Sequence, residues 1–193
     1  LTVPLGVLQH ERIEFIPGLP NQKTKAISTL GMGCLNKVYL RFPERFWSND
    51  VQGFSSFGSR AGQWSSWLNM NYYQPEPILL AFNAGSFGRE LEKLGDEEII
   101  GEAMKVLKRI YGKDIPTPTG VQITRWASDP FAFGSYSSLR PGSNRSTIQA
   151  LRKPLNQRVF FAGEATSLDY PSTVHGAYLS GIRAANEILD VLG

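Results

Sequence analysis

The last part of the chain combines an apolar strand, a glycine turn and a helix built from small residues. Residues 158–162 read RVFFA, an apolar run typical of a strand that is covered on both faces. Gly163 and Glu164 end this run, and a helix rich in small residues is predicted from about Ser172 or Thr173 onward. A strand, a tight turn and a helix in this order predict a mixed α/β fold, with the helix packed closely on a sheet.

Shorter patterns organise the rest of the chain. Helices are predicted at residues 23–30 and 96–111, and strands at residues 35–42, 66–70, 78–83 and 122–126. Alternation within residues 35–42 separates two faces of that strand. One face carries Leu35, Lys37, Tyr39 and Arg41, and the other carries Asn36, Val38, Leu40 and Phe42.

Composition argues against several functional classes. With 41% hydrophobic and 19% charged residues, the 193-residue chain has the composition of an ordinary globular protein. The net charge is +3 and the Lys and Arg residues are scattered, which disfavours nucleic-acid binding. Cys34 is the only cysteine and both histidines are isolated, so neither a disulfide framework nor a metal site is predicted. No apolar run is long enough to cross a bilayer, and a cytoplasmic location is favoured.

The start of the last helix is a candidate anion site. Ser172 or Thr173 can cap it, and the amides of its first turn then point forward. Such an end stabilises an anion by about 0.3–1 kcal/mol. Glu164, at the strand end, is an acid with limited solvent access, and it needs hydroxyl groups or an Arg as partners. The alternatives are a capped helix packed on a sheet and an ordinary surface carboxylate.

Two further features can carry chemistry. Lys37 lies in mid-strand, where it is either a solvated edge-strand charge or a polar group that holds a water in a cavity. Residues 126–137 read WASDPFAFGSYS, an aromatic loop next to Pro and Gly. An aromatic wall can hold an amine by cation–π contact, worth about 0.5–2 kcal/mol. The alternative for Phe131 and Phe133 is a small hydrophobic cluster beneath a long loop.

These segments resemble the flavin-containing amine oxidases, a family that includes polyamine oxidases, monoamine oxidases and lysine-specific histone demethylases. The resemblance is carried by residues 158–164, by the helix that follows, by GCLNKV at 33–38 and by the aromatic loop at 126–137. It extends over essentially the whole chain, and the motifs occur in family order.

The resemblance implies specific roles in an FAD site. Lys37 is implied as the catalytic residue, because the family's matching lysine contacts flavin N5 through a water. Trp126 is implied to pack along the flavin, and Tyr136 and Thr173 to shape the substrate cavity. The implied contacts to FAD are Trp126, Gly163, Glu164, Thr173 and Val174. The first-turn amides of the last helix would face the N1–O2 edge, which is negative in the reduced flavin.

The implied reaction is oxidation of an amine C–N bond. The amine passes a hydride equivalent to flavin N5, water hydrolyses the resulting imine, and O2 reoxidises the flavin to give H2O2. A polyamine or related secondary amine is favoured, because the Asn-Lys-Val and Gly-Ser-Tyr-Ser contexts look closer to polyamine oxidases and histone demethylases than to monoamine oxidases. The alternatives are a non-catalytic fragment or scaffold module of the same fold, or an L-amino-acid or monoamine oxidase.

One part of a complete oxidase is not found in this sequence. FAD-binding oxidases open with Gly-x-Gly-x-x-Gly after a strand, which cradles the pyrophosphate. Gly31-Met-Gly33 comes nearest, but Asn36 replaces the last glycine. With Leu1 rather than Met at the start, we expect a C-terminal portion whose partner is an N-terminal portion with the dinucleotide-binding motif. The expected domains are 1–33 (FAD-domain segment), 34–145 (substrate-binding domain) and 146–193 (C-terminal FAD-domain segment).

The missing pyrophosphate cradle predicts that the 193-residue chain alone binds FAD weakly or not at all, and that it is inactive. Equilibrium dialysis of the purified chain against FAD, followed by absorbance of the retained flavin, measures this. A stoichiometric yellow complex would contradict the prediction.

Overall fold

The computed structural model describes all residues, Leu1–Gly193, as two compact units. Unit 1 contains Leu1–Gly33 and Ser128–Gly193, and unit 2 contains Cys34–Ala127. The sequence prediction ended the central domain at residue 145, whereas the structure groups residues 128–145 with unit 1. The reason is local, because the Phe133 ring stacks on His10 with centroids 4.0 Å apart. The assignment of FAD-binding and substrate-binding roles to the parts of the chain stays a prediction.

Helices and strands are both present, which confirms the mixed α/β class. The helices are α1 (Leu5–Gln9), α2 (Asn21–Thr29), α3 (Gly85–Leu91), α4 (Asp96–Tyr111), α5 (Arg145–Arg152) and α6 (Val174–Leu192). The strands are β1 (Gly31–Met32), β2 (Leu35–Arg41), β3 (Gly53–Ser55), β4 (Ser66–Asn69), β5 (Ile78–Ala84), β6 (Gly120–Ile123) and β7 (Ser137–Ser138). Two 310 turns lie at Met70–Tyr72 and Glu164–Thr166. No helix combines the length and the apolar character needed to span a membrane.

Unit 2 is built on an antiparallel five-stranded sheet with the order β3-β4-β5-β2-β6. Strand β2 lies between β5 and β6, and its predicted alternation is confirmed by the burial of Asn36, Val38 and Leu40. Lys37 pairs with Phe82 of β5, so it belongs to an interior strand. The interpretation of Lys37 as an edge-strand charge is therefore wrong.

The core of unit 2 packs α4 on one face of this sheet. Helix α4 has the predicted bounds, and its stripe at Ile99, Ala103 and Leu107 is fully buried. Gly95 is its N-cap, and the Gly95 amide donates to the Glu98 carboxylate at 3.1 Å. The cluster is completed by residues of the sheet and its loops, which include Val38, Leu40, Phe42, Trp47, Trp64, Trp67, Leu79 and Ala81.

Unit 1 is mainly helical, with the short antiparallel pair β1-β7. Its core joins α1, α2, α5 and the second 310 turn through Leu5, Ala26, Ile27, Leu30, Ile148, Leu151 and Ala165. The strand predicted at residues 158–162 is not part of a sheet. Its extended backbone pairs with Leu1, whose ammonium donates to the Phe160 carbonyl at 2.6 Å and whose carbonyl accepts from Ala162 at 2.9 Å. A sheet needs a neighbour along the full strand, and this run has only the contacts with Leu1 and an isolated bridge between Val159 and Leu155.

A buried lysine joins α2 to the end of α5. Lys23 is 3% exposed, and its ammonium donates to the carbonyls of Ala150 (3.2 Å), Leu151 (2.6 Å) and Lys153 (2.6 Å). These carbonyls belong to the last turn of α5, where a helix leaves acceptors unpaired and favours a cation. The same ammonium lies 3.8 Å from the Phe161 ring centroid. Burial first, and then Arg183 and Lys153, lower the pKa of Lys23 to about 8.

This lowered pKa predicts a pH dependence of folding stability. Between pH about 8 and 10.5 the unfolded chain holds more protons on Lys23 than the folded chain does, so raising the pH favours folding. We expect the free energy of unfolding of the wild type, relative to that of Lys23→Met, to increase across this window. Urea titrations at several pH values measure it. Lys25→Met, at an exposed position of the same helix, is the control, and a pH-independent difference for Lys23→Met would refute the assignment.

Candidate functional site

The predicted site residues are divided between the two units. Lys37 and Trp126 belong to unit 2, whereas Tyr136, Gly163, Glu164, Thr173 and Val174 belong to unit 1. Each group has its own local framework.

On the β6 side, the Lys37 backbone is bonded to Thr124, the residue directly after that strand. The Lys37 amide donates to Thr124 Oγ1 at 2.8 Å, and the Lys37 carbonyl accepts from the Thr124 amide at 3.0 Å. The side chain is half-buried and forms no ion pair. Burial lowers the pKa of Lys37, because desolvation disfavours the ammonium. The group is thus a polar amine on the less buried face of the sheet, and it can hold a water by hydrogen bonding.

Trp126 differs from the other tryptophans of unit 2 in its exposure. It is 38% exposed, whereas Trp47, Trp64 and Trp67 are buried in the core. It lies just after β6, where the chain leaves the sheet, and its amide donates to Asn36 Oδ1 at 3.0 Å. An indole with an accessible surface and a fixed backbone is able to pack against a flat group.

Glu164 is the centre of the unit 1 site. Its Oε1 accepts from the Ser137 amide at 2.9 Å, and its Oε2 accepts from the Ser137 hydroxyl and the Ser172 amide, each at 2.7 Å. The Ser172 hydroxyl in turn donates to the Ser137 carbonyl. The prediction that Glu164 needs partners was therefore right in kind, but its partners in this chain are serines and amides. One carboxylate joins the segments that contain Tyr136, Glu164 and Thr173.

The start of α6 leaves backbone amides available. Thr173 is the N-cap, as predicted, and its Oγ1 accepts from the Gly176 amide at 3.0 Å. The amides of Val174 and His175 donate to no group of the chain, and the Val174 side chain is 89% exposed. Gly176 is required here, since a Cβ would lie 1.9 Å from the Tyr170 carbonyl oxygen. Open first-turn amides are the arrangement that binds anions at helix ends.

Gly163 turns the chain toward this helix. Its φ is +120°, a region that favours glycine, and its amide donates to Ser180 Oγ at 2.8 Å. A Cβ on Gly163 would meet only the Thr2 carbonyl at 3.9 Å, so the space beside it is open. The buried face of α6 consists of Gly176, Ser180 and Ala184. Gly181 lies outside this buried face, because a Cβ at its position would have no atom within 4 Å.

The aromatic loop is only partly packed. Tyr136 is 38% exposed, and its carbonyl accepts from the Gly33 amide at 2.8 Å, which fixes its backbone. Phe133 stacks on His10, whereas Phe131 is 83% exposed. The loop therefore has both a packed ring and accessible rings.

These features fit a flavin better than they fit a metal ion. No group of three or more His, Cys, Asp or Glu side chains is arranged for a metal. The open side of Gly163 and the unpaired amides of Val174 and His175 suit the polar edge of a flat anionic ring. The residues that would hold this group in unit 1 are Gly163, Thr173 and Val174.

Comparison with known proteins shows the family of this chain. A profile of flavin-containing amine oxidoreductases matches residues 1–189. The chain belongs to this family. It is 41% identical to lysine-specific histone demethylase 1 homolog 2 of Oryza sativa subsp. japonica over 97% of the chain and 25% of that relative. It is 36% identical to human lysine-specific histone demethylase 2 over 97% of the chain and 24% of that relative. The chain thus spans about a quarter of the length of these relatives.

A solved structure supports the fold of this amine oxidoreductase chain. A putrescine oxidase redesigned at its cofactor site superposes with a TM-score of 0.81. The match covers 98% of the chain and 42% of the oxidase at 23% identity, so it bears on fold alone. The resemblance and the fold class drawn from the sequence are confirmed, whereas the role of each site residue stays a prediction.

Several structural residues of the site were not predicted from sequence. In unit 2 they are Asn36, Glu92 and Thr124, and in unit 1 they are Ser137 and Ser180. Asn36 could have been recognised in the sequence, because it is a polar residue on the otherwise apolar face of its strand. Glu92 had no signal, because its partners lie far away in sequence.

The hydrogen bonds of Glu164 predict the effect of Glu164→Gln. A glutamine would place an NH2 group against amide and hydroxyl donors, so at least one bond is lost, at a cost of about 1–3 kcal/mol. We expect lower stability of unit 1 and faster hydrogen exchange at the Ser137 and Ser172 amides. Urea unfolding and amide exchange by NMR measure these effects. Glu14→Gln, at an exposed position of unit 1, is the control. Unchanged exchange at both serines in Glu164→Gln would show that the carboxylate does not hold these segments.

Proposed function

We propose that this chain forms part of the active site of a flavin-dependent enzyme that oxidises the C–N bond of an amine. The observation that supports this most is the start of α6, where a capped helix offers unpaired amides beside the Glu164 cluster. The bound flavin would supply the two-electron chemistry, since no protein side chain oxidises an amine. The chain itself would position the amine and the flavin, exclude bulk water from them, and hold protons and an ordered water.

Lys37 and Trp126 would form the unit 2 part of this site. The half-buried Lys37 amine would hold a water near the reacting centre, and burial lowers its pKa. The accessible indole of Trp126 would lie along the flavin ring.

The unit 1 residues would bind the cofactor and shape the cavity. The Val174 amide and the capped end at Thr173 would stabilise the negative edge of the reduced flavin. Gly163 leaves room for a close approach of the ring. Glu164 would act mainly by fixing the neighbouring segments, because both of its oxygens accept bonds within the chain. Tyr136, with its exposed ring, would face the substrate amine.

The proposed substrate is a secondary amine, which we specify as polyamine-like from the sequence contexts of Lys37 and Tyr136. A second candidate is the methylated side chain of a protein lysine, which is favoured by the names of the relatives at 41% and 36% identity. O2 would be the electron acceptor, with H2O2 as its product. The proposed partner is an N-terminal portion with the dinucleotide-binding motif, because the relatives are about four times as long as the matched region.

A substitution at Lys37 tests this function in a flavin-loaded, full-length enzyme. Lys37→Met removes the amine that holds the water, so we expect the rate of flavin reduction or reoxidation to fall by about 100-fold. The bound flavin should remain, because no cofactor contact of unit 1 is changed. Stopped-flow absorbance with spermidine, or with a dimethyl-lysine peptide, measures the two half-reactions.

Lys105→Met, on the exposed surface of α4, is the matched control and should leave both rates unchanged. Equal rates for Lys37→Met and wild type would remove Lys37 from the site. Absence of amine-dependent flavin reduction and peroxide release in the wild type, with all three substrate classes including an L-amino acid, would favour the scaffold alternative.

A further inference from the structure

The end of the segment after β6 is held by side chains. Strand β6 ends at Ile123 and the Thr124 amide still donates to the Lys37 carbonyl at 3.0 Å, but the Trp126 and Ala127 amides have no backbone partner. Two side chains take the place of such partners. The Trp126 amide donates to Asn36 Oδ1 at 3.0 Å, and the Ala127 amide donates to Glu92 Oε1 at 2.8 Å.

Asn36 is the centre of this network. It has no solvent exposure, and its Nδ2 donates to Glu92 Oε1 at 2.6 Å and to the Gly88 carbonyl at 3.1 Å. These bonds fix the amide plane and direct Oδ1 toward the 124–127 segment. There Oδ1 accepts from Thr124 Oγ1 at 3.3 Å as well as from Trp126. A buried amide with both ends bonded is rigid, because each lost bond would leave a polar group without a partner.

The network also reaches Lys37. Thr124 Oγ1 donates to Asn36 and accepts from the Lys37 amide at 2.8 Å. A continuous path of hydrogen bonds therefore runs from the Glu92 carboxylate through Asn36 and Thr124 to the backbone of Lys37, with a branch to Trp126. The network joins the two residues of unit 2 that the proposed function requires.

We propose that Asn36, oriented by Glu92, is a positioning residue that fixes Trp126 and Lys37 for flavin-dependent amine oxidation. This inference rests on the proposed function. Asn36 touches no reacting group. It acts through the backbone of Trp126 and through Thr124, and Glu92 prevents its amide from rotating.

The matched control is another buried asparagine of the same sheet. Asn69 also has no solvent exposure, and it accepts from Trp47 Nε1 at 2.8 Å and donates to the Val51 carbonyl at 2.9 Å. Asn69→Ala thus also removes the bonds of a fully buried side-chain amide, although fewer of them, and has no link to Trp126. Loss of general stability is therefore expected from both variants, whereas displacement of Trp126 is expected only from Asn36→Ala.

The first measurement uses the 193-residue chain labelled with 5-fluorotryptophan. The chain contains four tryptophans, and Trp126→Phe assigns the 19F signal of Trp126. We expect Asn36→Ala to shift or broaden the Trp126 signal and Asn69→Ala to change only the Trp47 signal. Glu92→Gln keeps an acceptor oxygen and should preserve the Trp126 signal, whereas Glu92→Ala should change it. An unchanged Trp126 signal in Asn36→Ala, or in Glu92→Ala if Asn36→Ala does not fold, would overturn the inference.

The second measurement uses the flavin-loaded, full-length enzyme. We expect Asn36→Ala to slow flavin reduction by about 100-fold relative to Asn69→Ala, since small misplacements of catalytic groups have effects of this size. Equal rates for the two variants would overturn the inference even if Trp126 moves. A wild-type enzyme that shows no flavin reduction would refute the proposed function, and the 19F result would then stand as a finding about the placement of Trp126 alone.

Discussion

The structure depends on side chains that take the place of backbone partners where the chain leaves regular structure. In unit 1 the Glu164 carboxylate accepts from the Ser137 amide and hydroxyl and from the Ser172 amide. In unit 2 Asn36 and Glu92 do the same for the residues after β6. Buried amides need partners, and bonds to a carboxylate are among the stronger ones in proteins. Each unit thus fixes an irregular segment through one polar centre, which is Glu164 in unit 1 and Asn36 with Glu92 in unit 2.

The fixed segments are the ones that carry the candidate site. Tyr136 precedes Ser137, and Thr173 follows Ser172, so the Glu164 centre positions an exposed aromatic ring and a helix cap together. The Asn36 centre does the same for Lys37 and Trp126. The groups proposed to meet the flavin are left accessible, namely the Val174 amide, the open side of Gly163 and the Trp126 ring. A rigid frame with an open polar edge is the requirement for binding a flat cofactor in one orientation.

Much of this could be predicted from the sequence. Periodicity placed α4 and the two faces of β2 correctly, and the cap of α6 is Thr173, one of the two residues predicted for it. The motifs around Lys37 and Trp126 gave the family, which the comparisons confirm. These predictions succeeded because they rest on local patterns, in which side-chain spacing follows directly from helix or strand geometry.

Other features depend on contacts that are distant in sequence. The run at residues 158–162 has the composition of a buried strand but pairs only at single positions, with Leu155 and with Leu1. Helix α5 is absent from the sequence-based prediction, although Asn144 caps it by accepting from the amides of Ser146 and Thr147. The Asn36–Glu92 bond joins residues far apart in the chain, and no local pattern contains it. These features are therefore determined by tertiary contacts, which local sequence patterns do not contain.

Amide hydrogen exchange of the 193-residue chain tests the central claim most directly. Amides bonded to buried side chains exchange slowly, whereas unpaired amides on the surface exchange at nearly the free rate. The account predicts strong protection at Trp126, Ala127, Ser137 and Ser172, although none of them is bonded to another backbone group, and no protection at Val174. Exchange at the first four amides as fast as at Val174 would contradict the claim that side chains fix the segments of the site.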